Sequence, residues 1–408
     1  MKLGGFSKQQ KQAVVLYVST LLGVLLGIFS SIINTRFLDP GDYGDVRYVQ
    51  NILNFIASLL LFGYFLSGSR LLALSDKEDY SRRIRGAMCV ILGIASAVLI
   101  VACALCGVFH TNKPDVAFLF YISLPVCLYP LLLNYVNTTA QGDNHIGRLS
   151  NARLLPSLVY VPVAYLVYKY WGASSERMVL LQWGIYSFIL FIIIISARTS
   201  FKDLKPIFAS LNDENRNYGI QLYIGSLVMV ATNYIAGITL GYFNEDNTEV
   251  GFYTLALTVT GPLSTLPAII GTTYFKQFAS QPKIPEKVMR FTILLTVISC
   301  LLFICIIKPL VVFLYSEDYS VVGAYASLLA IGFAIHGYGD MINRYLGSHG
   351  HGLSIRNASI ANGIFKIFGY IVLVYYFNTM GAIVTTLLCD IIYTVVLMWY
   401  YRRFIKNE

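Results

Sequence analysis

Charge is scarce in this sequence. Of its 408 residues only 12% are Asp, Glu, Lys or Arg, against 56% hydrophobic, which excludes an ordinary soluble surface, where charge runs to about a quarter of all residues. Histidine is scarce too: there are five, and His110, His145, His349 and His351 fall between apolar stretches with no metal-ligand constellation around them. The seven cysteines all lie inside apolar stretches. Cys103 and Cys106 imitate a metal or redox pair, but no second pair accompanies them, so they read as small buried hydrophobes. Long polar loops are missing as well, and with them the outer platform on which a sugar-processing enzyme would hold its substrate. The net charge of +9 is spread along the chain, so no basic domain supports nucleic-acid binding.

What is present is a series of twelve apolar stretches: 13–35, 46–68, 86–108, 117–138, 154–171, 179–197, 218–241, 251–273, 291–314, 321–341, 357–377 and 380–401. Most reach the roughly 20 residues with which a helix crosses a ~30 Å hydrocarbon core, and backbone groups in lipid must be satisfied within the helix. The expected fold is therefore an all-α integral membrane protein of twelve transmembrane helices. The first stretch follows Lys2, Lys8 and Lys11 but exceeds a signal-peptide core and has no convincing cleavage site, so it is expected to remain in the mature protein. With the N-terminus inside, the inner segments hold 23 of the 30 lysines and arginines and the outer loops 4, an asymmetry that places both termini in the cytoplasm.

The chain also repeats itself. Gly44 in "DYGDVRYVQNI" and Gly251 in "TEVGFYTLALTV" open the second and eighth stretches, Gly142 and Arg148 match Gly350 and Arg356, and Gly172 matches Gly381. These pairs share an offset of 207 to 209 residues, equal to six stretches. An even number of crossings gives both halves one orientation, hence two pseudo-symmetric six-helix lobes related by an axis along the membrane normal. The lobes are 1–200 and 218–408. Residues 201–217, with the charged run "NDENRN", form a solvated cytoplasmic linker.

Ionisable and amide residues inside the stretches are the candidate site. In "RFLDPGDYGDVRYVQN", Pro40 and Gly41 read as a helix-breaking turn and Asp39, Asp42 and Asp45 as solvated outer-loop acids. Inward from Arg47, at helical spacing, come Gln50, Asn51, Asn54 and Ser58; the first stretch has its own stripe of Thr20, Gly23, Gly27, Ser30 and Asn34. Such stripes either line a wet cavity or bond helix to helix, and the ionisable Arg47 favours the cavity. Arg36 joins the set at the outer interface, where snorkelling also accounts for it. His336, Asp340 and Arg344 repeat every four residues at the inner end of the tenth stretch, as a gate or proton relay would, or as a polar helix end at the headgroups. Lys366 and Asp390 lie about 13 and 15 Å deep in neighbouring antiparallel helices, which predicts an ion pair near the midplane.

"RFLDPGDYG" resembles the Arg-x-Leu-x-Pro-x-x-Tyr-Gly signature of polysaccharide exporters, and "EVGFYTLALTVTGPLSTLPAIIGTTYFKQFA", "LYSEDY" and "YYFNTMGAIVTT" are similar to segments of Wzx-type O-antigen flippases. Those proteins belong to the multidrug, oligosaccharidyl-lipid and polysaccharide exporter superfamily. The resemblance implies a non-enzymatic flippase of the bacterial cytoplasmic (inner) membrane. It would move undecaprenyl-pyrophosphate-linked oligosaccharide from the inner to the outer leaflet by alternating access, driven by protons or sodium and without other cofactors. Its implied partners are the lipid-linked oligosaccharide, membrane lipids, and polysaccharide polymerase and chain-length machinery. Asn233 stands where relatives often have aspartate, which leaves acid-based ion coupling at that position open. An arginine's fixed fork suits a pyrophosphate, so Arg36, Arg47, Gln50, Asn51, Asn54 and Lys366 are the candidate substrate residues, and His336, Asp340 and Asp390 the candidates for coupling or gating. A multidrug or other small-molecule exporter of the same superfamily is the alternative, and an integral-membrane polysaccharide polymerase the alternative from another class.

Overall fold

The computed structural model describes residues 8–75 and 77–407; Lys2, counted above among the inner charges, lies outside them. Among the described residues the chain is helical throughout, without strands. Its helices gather into two units. The first runs to Leu38 and resumes over Val49–Val230; the second takes Asp39–Tyr48 and Ala231 onward.

In the first unit the passes are α1 (Lys8–Phe37), α2 (Pro40–Leu59) continued by α3 (Tyr64–Ala73), α4 (Glu78–Phe109), α5 (Pro114–Ser123) continued by α6 (Tyr129–Gly142), α7 (Ile146–Trp171) and α8 (Ser175–Ser196). A short α9 (Leu204–Glu214) and a π-turn, Asn215–Gly219, follow. The second unit has α10 (Ile220–Phe243), α11 (Thr248–Thr260) continued by α12 (Pro262–Phe278), α13 (Glu286–Leu314), α14 (Val321–Ser348) and α15 (Gly352–Asn407). Among the described residues seven helices are long and apolar enough to cross a membrane alone, and an eighth results if α2 and α3 make one bent pass. One of the seven, Gly352–Lys406, has 55 residues, about 80 Å of helix, and it bends at Asn378, where φ is 55°. It therefore supplies two passes, and the described passes form two sets of six in the same order, with the first turns of α2 counted in the second unit and the start of α10 in the first. The repeat extends to the starts of the helices: α4 begins at Glu78 and α13 at Glu286, while α7 begins at Ile146 and α15 at Gly352.

Several passes are broken where continuous stretches were expected. Pro262 cannot donate to the turn before it, and the eighth pass divides at Gly261. The second pass bends by 62° between α2 and α3, where Phe62 and Gly63 both adopt positive φ. The opening turn also differs from expectation. Only Leu38 and Asp39 separate α1 from α2; Pro40 starts the helix, as a residue without an N–H can, and Asp39 Oδ1 caps it by accepting from the Asp42 N–H at 2.9 Å. Nor is Asp45 merely solvated, because the Asn247 amide donates to it at 2.6 Å.

The repeat-related glycines meet one another. A side chain on Gly251 would stand 3.2 Å from the Gly44 Cα, and one on Gly44 would collide with the Asn247 carbonyl at 1.9 Å, so the first turns of α2 and α11 touch backbone to backbone. Gly381, the match of Gly172, lies against the Leu373 backbone within the helix that follows Asn378.

Candidate functional site

The most concentrated group of ionisable side chains within the spans is held by α14 and the two arms of α15. Two glycines on α14 admit the second arm: a Cβ on Gly332 would lie 3.2 Å from Leu387 Cα and 3.3 Å from Asp390 Oδ2, and one on Gly339 would lie 2.5 Å from Thr394 Oγ1. Thr394 donates to the Ile335 carbonyl at 2.9 Å, fixing the register. The close packing brings Asp390, 2% exposed, between two basic groups. Lys366 Nζ lies 3.3 Å from its Oδ1 and His336 Nδ1 3.1 Å from the same oxygen. His336 Nε2 in turn lies 3.8 Å from Asp340 Oδ2, and Tyr393, stacked on the imidazole at 4.7 Å, donates to Asp340 Oδ1 at 3.1 Å. Asn343 completes the group by donating to the Tyr393 hydroxyl at 2.7 Å.

The order Lys366, Asp390, His336, Asp340 alternates basic and acidic groups, with Asp390 buried and the other three partly exposed. With a neutral imidazole the four carry one net negative charge; with a protonated one they carry none. Because the cost of an intramembrane charge depends on its partners, the protonation of one residue changes the balance of the group. The expected pair of Lys366 with Asp390 is present, and His336 joins it to what was read as a separate triplet. His336 and Asp340 do not form a helix end, since α14 continues to Ser348. Arg344 is exposed and outside the chain of contacts.

Arg47 belongs to the second unit, half-buried, with its guanidinium over the Tyr43 ring at 4.8 Å. Tyr43 is fully buried and packs edge-on against Tyr319. The remaining candidates, Arg36, Gln50, Asn51 and Asn54, belong to the first unit. Arg36 is exposed and Asn51 and Asn54 are half-buried. Gln50 is buried and donates to Gln182 Oε1 at 2.9 Å, and Ser58 turns back to the Phe55 carbonyl. The α1 stripe faces α7: Tyr160 and Tyr168 both donate to Asn34 Oδ1, and Arg153 reaches Thr20. The contacts of Gln50, Asn34 and Thr20 join helix to helix, the second of the two roles expected for polar stripes, while that of Ser58 stays within α2.

An ionic group around the buried Arg85 in the first unit was not foreseen. Arg85, with 3% of its side chain exposed, reaches Asp143 Oδ2 at 2.7 Å and Glu78 Oε1 at 2.9 Å, and Arg148 shares Asp143 Oδ2 at 3.0 Å. All four residues lie between apolar stretches in sequence, where charge carries no signal of burial.

The fold is similar to solved transporters at low identity. It matches the lipid II flippase MurJ in an inward closed conformation with a TM-score of 0.76 at 12% identity, over 95% of this chain and 87% of that one. An inward-facing multidrug resistance MATE family transporter of the MOP superfamily matches with a TM-score of 0.69 at 14% identity, over 97% and 98%. A MOP superfamily transporter from Pyrococcus furiosus, described as having a binding pocket of reversed polarity, matches with a TM-score of 0.60 at 11% identity, over 97% and 94%. Among curated proteins no sequence matches. The profile of one family does, over residues 10–275, well over half of the chain, and so the chain belongs to the polysaccharide biosynthesis protein family.

Proposed function

We propose that the protein is a flippase that carries an undecaprenyl-pyrophosphate-linked oligosaccharide from the inner to the outer leaflet of a bacterial cytoplasmic membrane. It works by alternating access of its two six-pass lobes, is coupled to an ion, and performs no covalent chemistry. The observation that carries this reading is the group of charges inside the spans of a chain from a polysaccharide biosynthesis family. Such groups are costly in lipid and mark substrate or ion pathways. Arg47, with Gln50, Asn51, Asn54 and Arg36, is the proposed contact surface for pyrophosphate and sugar, because a guanidinium offers fixed donors to phosphate oxygens. Lys366 is the second cation for the substrate, and Asp390, His336 and Asp340 serve coupling or gating. The inner excess of lysine and arginine supports cytoplasmic termini, and a polymerase and chain-length machinery are the proposed downstream partners.

Deleting the gene in its host tests the reading. A lipid-linked glycan is expected to accumulate on the cytoplasmic leaflet and to be cleared by the intact gene. Unchanged lipid-linked glycans, together with a new sensitivity to cationic drugs, would instead assign the chain to the multidrug exporters.

A further inference from the structure

The segment 201–217, expected to be a solvated linker, is built into the first unit at the break in the second pass. Phe62 (φ 44°) and Gly63 (φ 80°) make two successive left-handed residues there. A non-glycine residue in that region persists only where its surroundings over-determine it. Carbonyls at a break within a membrane pass also need partners from elsewhere. The segment after α8 supplies them. Asn215, buried at the start of the π-turn, donates its amide to the Phe62 carbonyl at 3.1 Å and accepts from the Ser67 hydroxyl at 3.1 Å. Tyr223 donates to the Leu59 carbonyl at 2.7 Å. Tyr64 donates to Asn212 Oδ1 at 3.0 Å, and Arg70 pairs with Glu214 while lying over the Tyr218 ring at 4.6 Å.

The approach is as close as two glycines permit. A Cβ on Gly63 would stand 2.5 Å from the Gly219 carbonyl carbon, and one on Gly219 would stand 2.0 Å from Ser67 Oγ. Single-turn π segments inside helices are sites where the backbone deviates to serve a local purpose. Here the deviation brings the Asn215 side-chain amide to the broken turn of the second pass.

We infer that Asn215 is a positioning residue: docked on Phe62 and Ser67, it holds the second pass in its bent form and thereby sets the direction of α2, the helix that carries Gln50, Asn51 and Asn54. The segment joining the lobes then acts on the proposed substrate helix through contacts, beyond tethering one lobe to the other. The transport consequence rests on the flippase reading, whereas the bend itself does not.

The test is a spin-label distance between Ile56 and Ala73, on either side of the break, in nanodiscs. It is paired with flipping of a fluorescent undecaprenyl-pyrophosphate disaccharide in proteoliposomes. Asn215→Leu removes both hydrogen bonds, and Gly219→Ala wedges the π-turn off Gly63. Each is expected to lengthen the distance by about 4 Å as the helix straightens, and to slow flipping at least tenfold. Asn215→Asp, isosteric and still able to accept from Ser67, is expected to fall between, and it carries the test if Asn215→Leu does not accumulate. An unchanged distance in Gly219→Ala and in the Asn215 variant overturns the inference whatever happens to flipping. A lengthened distance with wild-type flipping overturns the positioning role. If the unmodified protein flips no disaccharide, the functional reading fails and the distance alone decides whether Asn215 holds the bend.

Discussion

The two six-pass units share an order of helices and differ in where they bury charge. The first holds its ionic group at helix ends: Glu78 opens α4, Asp143 follows α6 and Arg148 lies in the first turn of α7, with Arg85 among them. The corresponding ends of the second unit are packed with rings instead, Tyr345 against Phe278, Tyr401, His349 and Phe404. Conversely, the first unit joins its passes by neutral amides and hydroxyls, Gln50 with Gln182 within α2 and α8 and Asn34 with Tyr160 and Tyr168 toward the end of α1, whereas the second has Lys366, Asp390 and His336. Rings close a helix end as well as an ion pair does, so the clamp at Arg85 is explained by architecture alone. Neutral amides would likewise suffice to join helices, and the linked charges of Lys366, Asp390 and His336 call for a different reason. Transport is the reason proposed.

That contrast breaks most decisively at Asp390. Asp390→Ala or Lys366→Ala alone is expected to lower glycan export about a hundredfold at normal membrane abundance, because the first leaves Lys366 and His336 without their shared carboxylate and the second leaves Asp390 with His336 alone; the double variant should export more than either. Two harmless single variants would remove the pair from the mechanism. Arg47→Ala is expected to reduce export somewhat less, by about thirtyfold, with Arg47→Lys restoring part of it, since an ammonium lacks the guanidinium fork. In the first unit the expected loss is of stability. Arg85→Ala should destabilise by about 3–5 kcal/mol, the usual range for breaking a buried pair, seen as a lower thermal midpoint in detergent, while flipping per folded molecule stays within about twofold of wild type. The smallest effect is expected at Gln50: Gln50→Leu or Gln182→Leu should each cost about 1 kcal/mol, and the double variant less than their sum, as for two amides bonded to each other.

Much of this was legible in the sequence. Length and hydropathy give the number of passes, and the offset between Gly44 and Gly251 gives the repeat. Counting residues into two antiparallel helices is enough to pair Lys366 with Asp390, because depth in a membrane is proportional to residue number along a helix. The breaks were hidden for a related reason. "LLLFGYF" around Phe62 carries no charge or amide, and hydropathy does not register a change of φ. Partners across the fold were hidden too: Gln182 is 132 residues from Gln50 and Asn215 is 148 from Ser67, and nothing in the local pattern of either names the other. His336 was misplaced because its stretch was ended at residue 341, seven residues before α14 ends at Ser348. A helix middle was thereby read as a helix end.

The most direct measurement is flipping by the purified protein in sealed proteoliposomes carrying a fluorescent undecaprenyl-pyrophosphate disaccharide. An impermeant glycosidase reports the glycan that reaches the outer face, with and without an imposed pH gradient. The account predicts protein-dependent exposure of the disaccharide that an imposed gradient accelerates, and loss of both the exposure and the acceleration in Asp390→Asn. Exposure no faster than in protein-free vesicles, or equal rates in wild type and Asp390→Asn under every gradient, would contradict it.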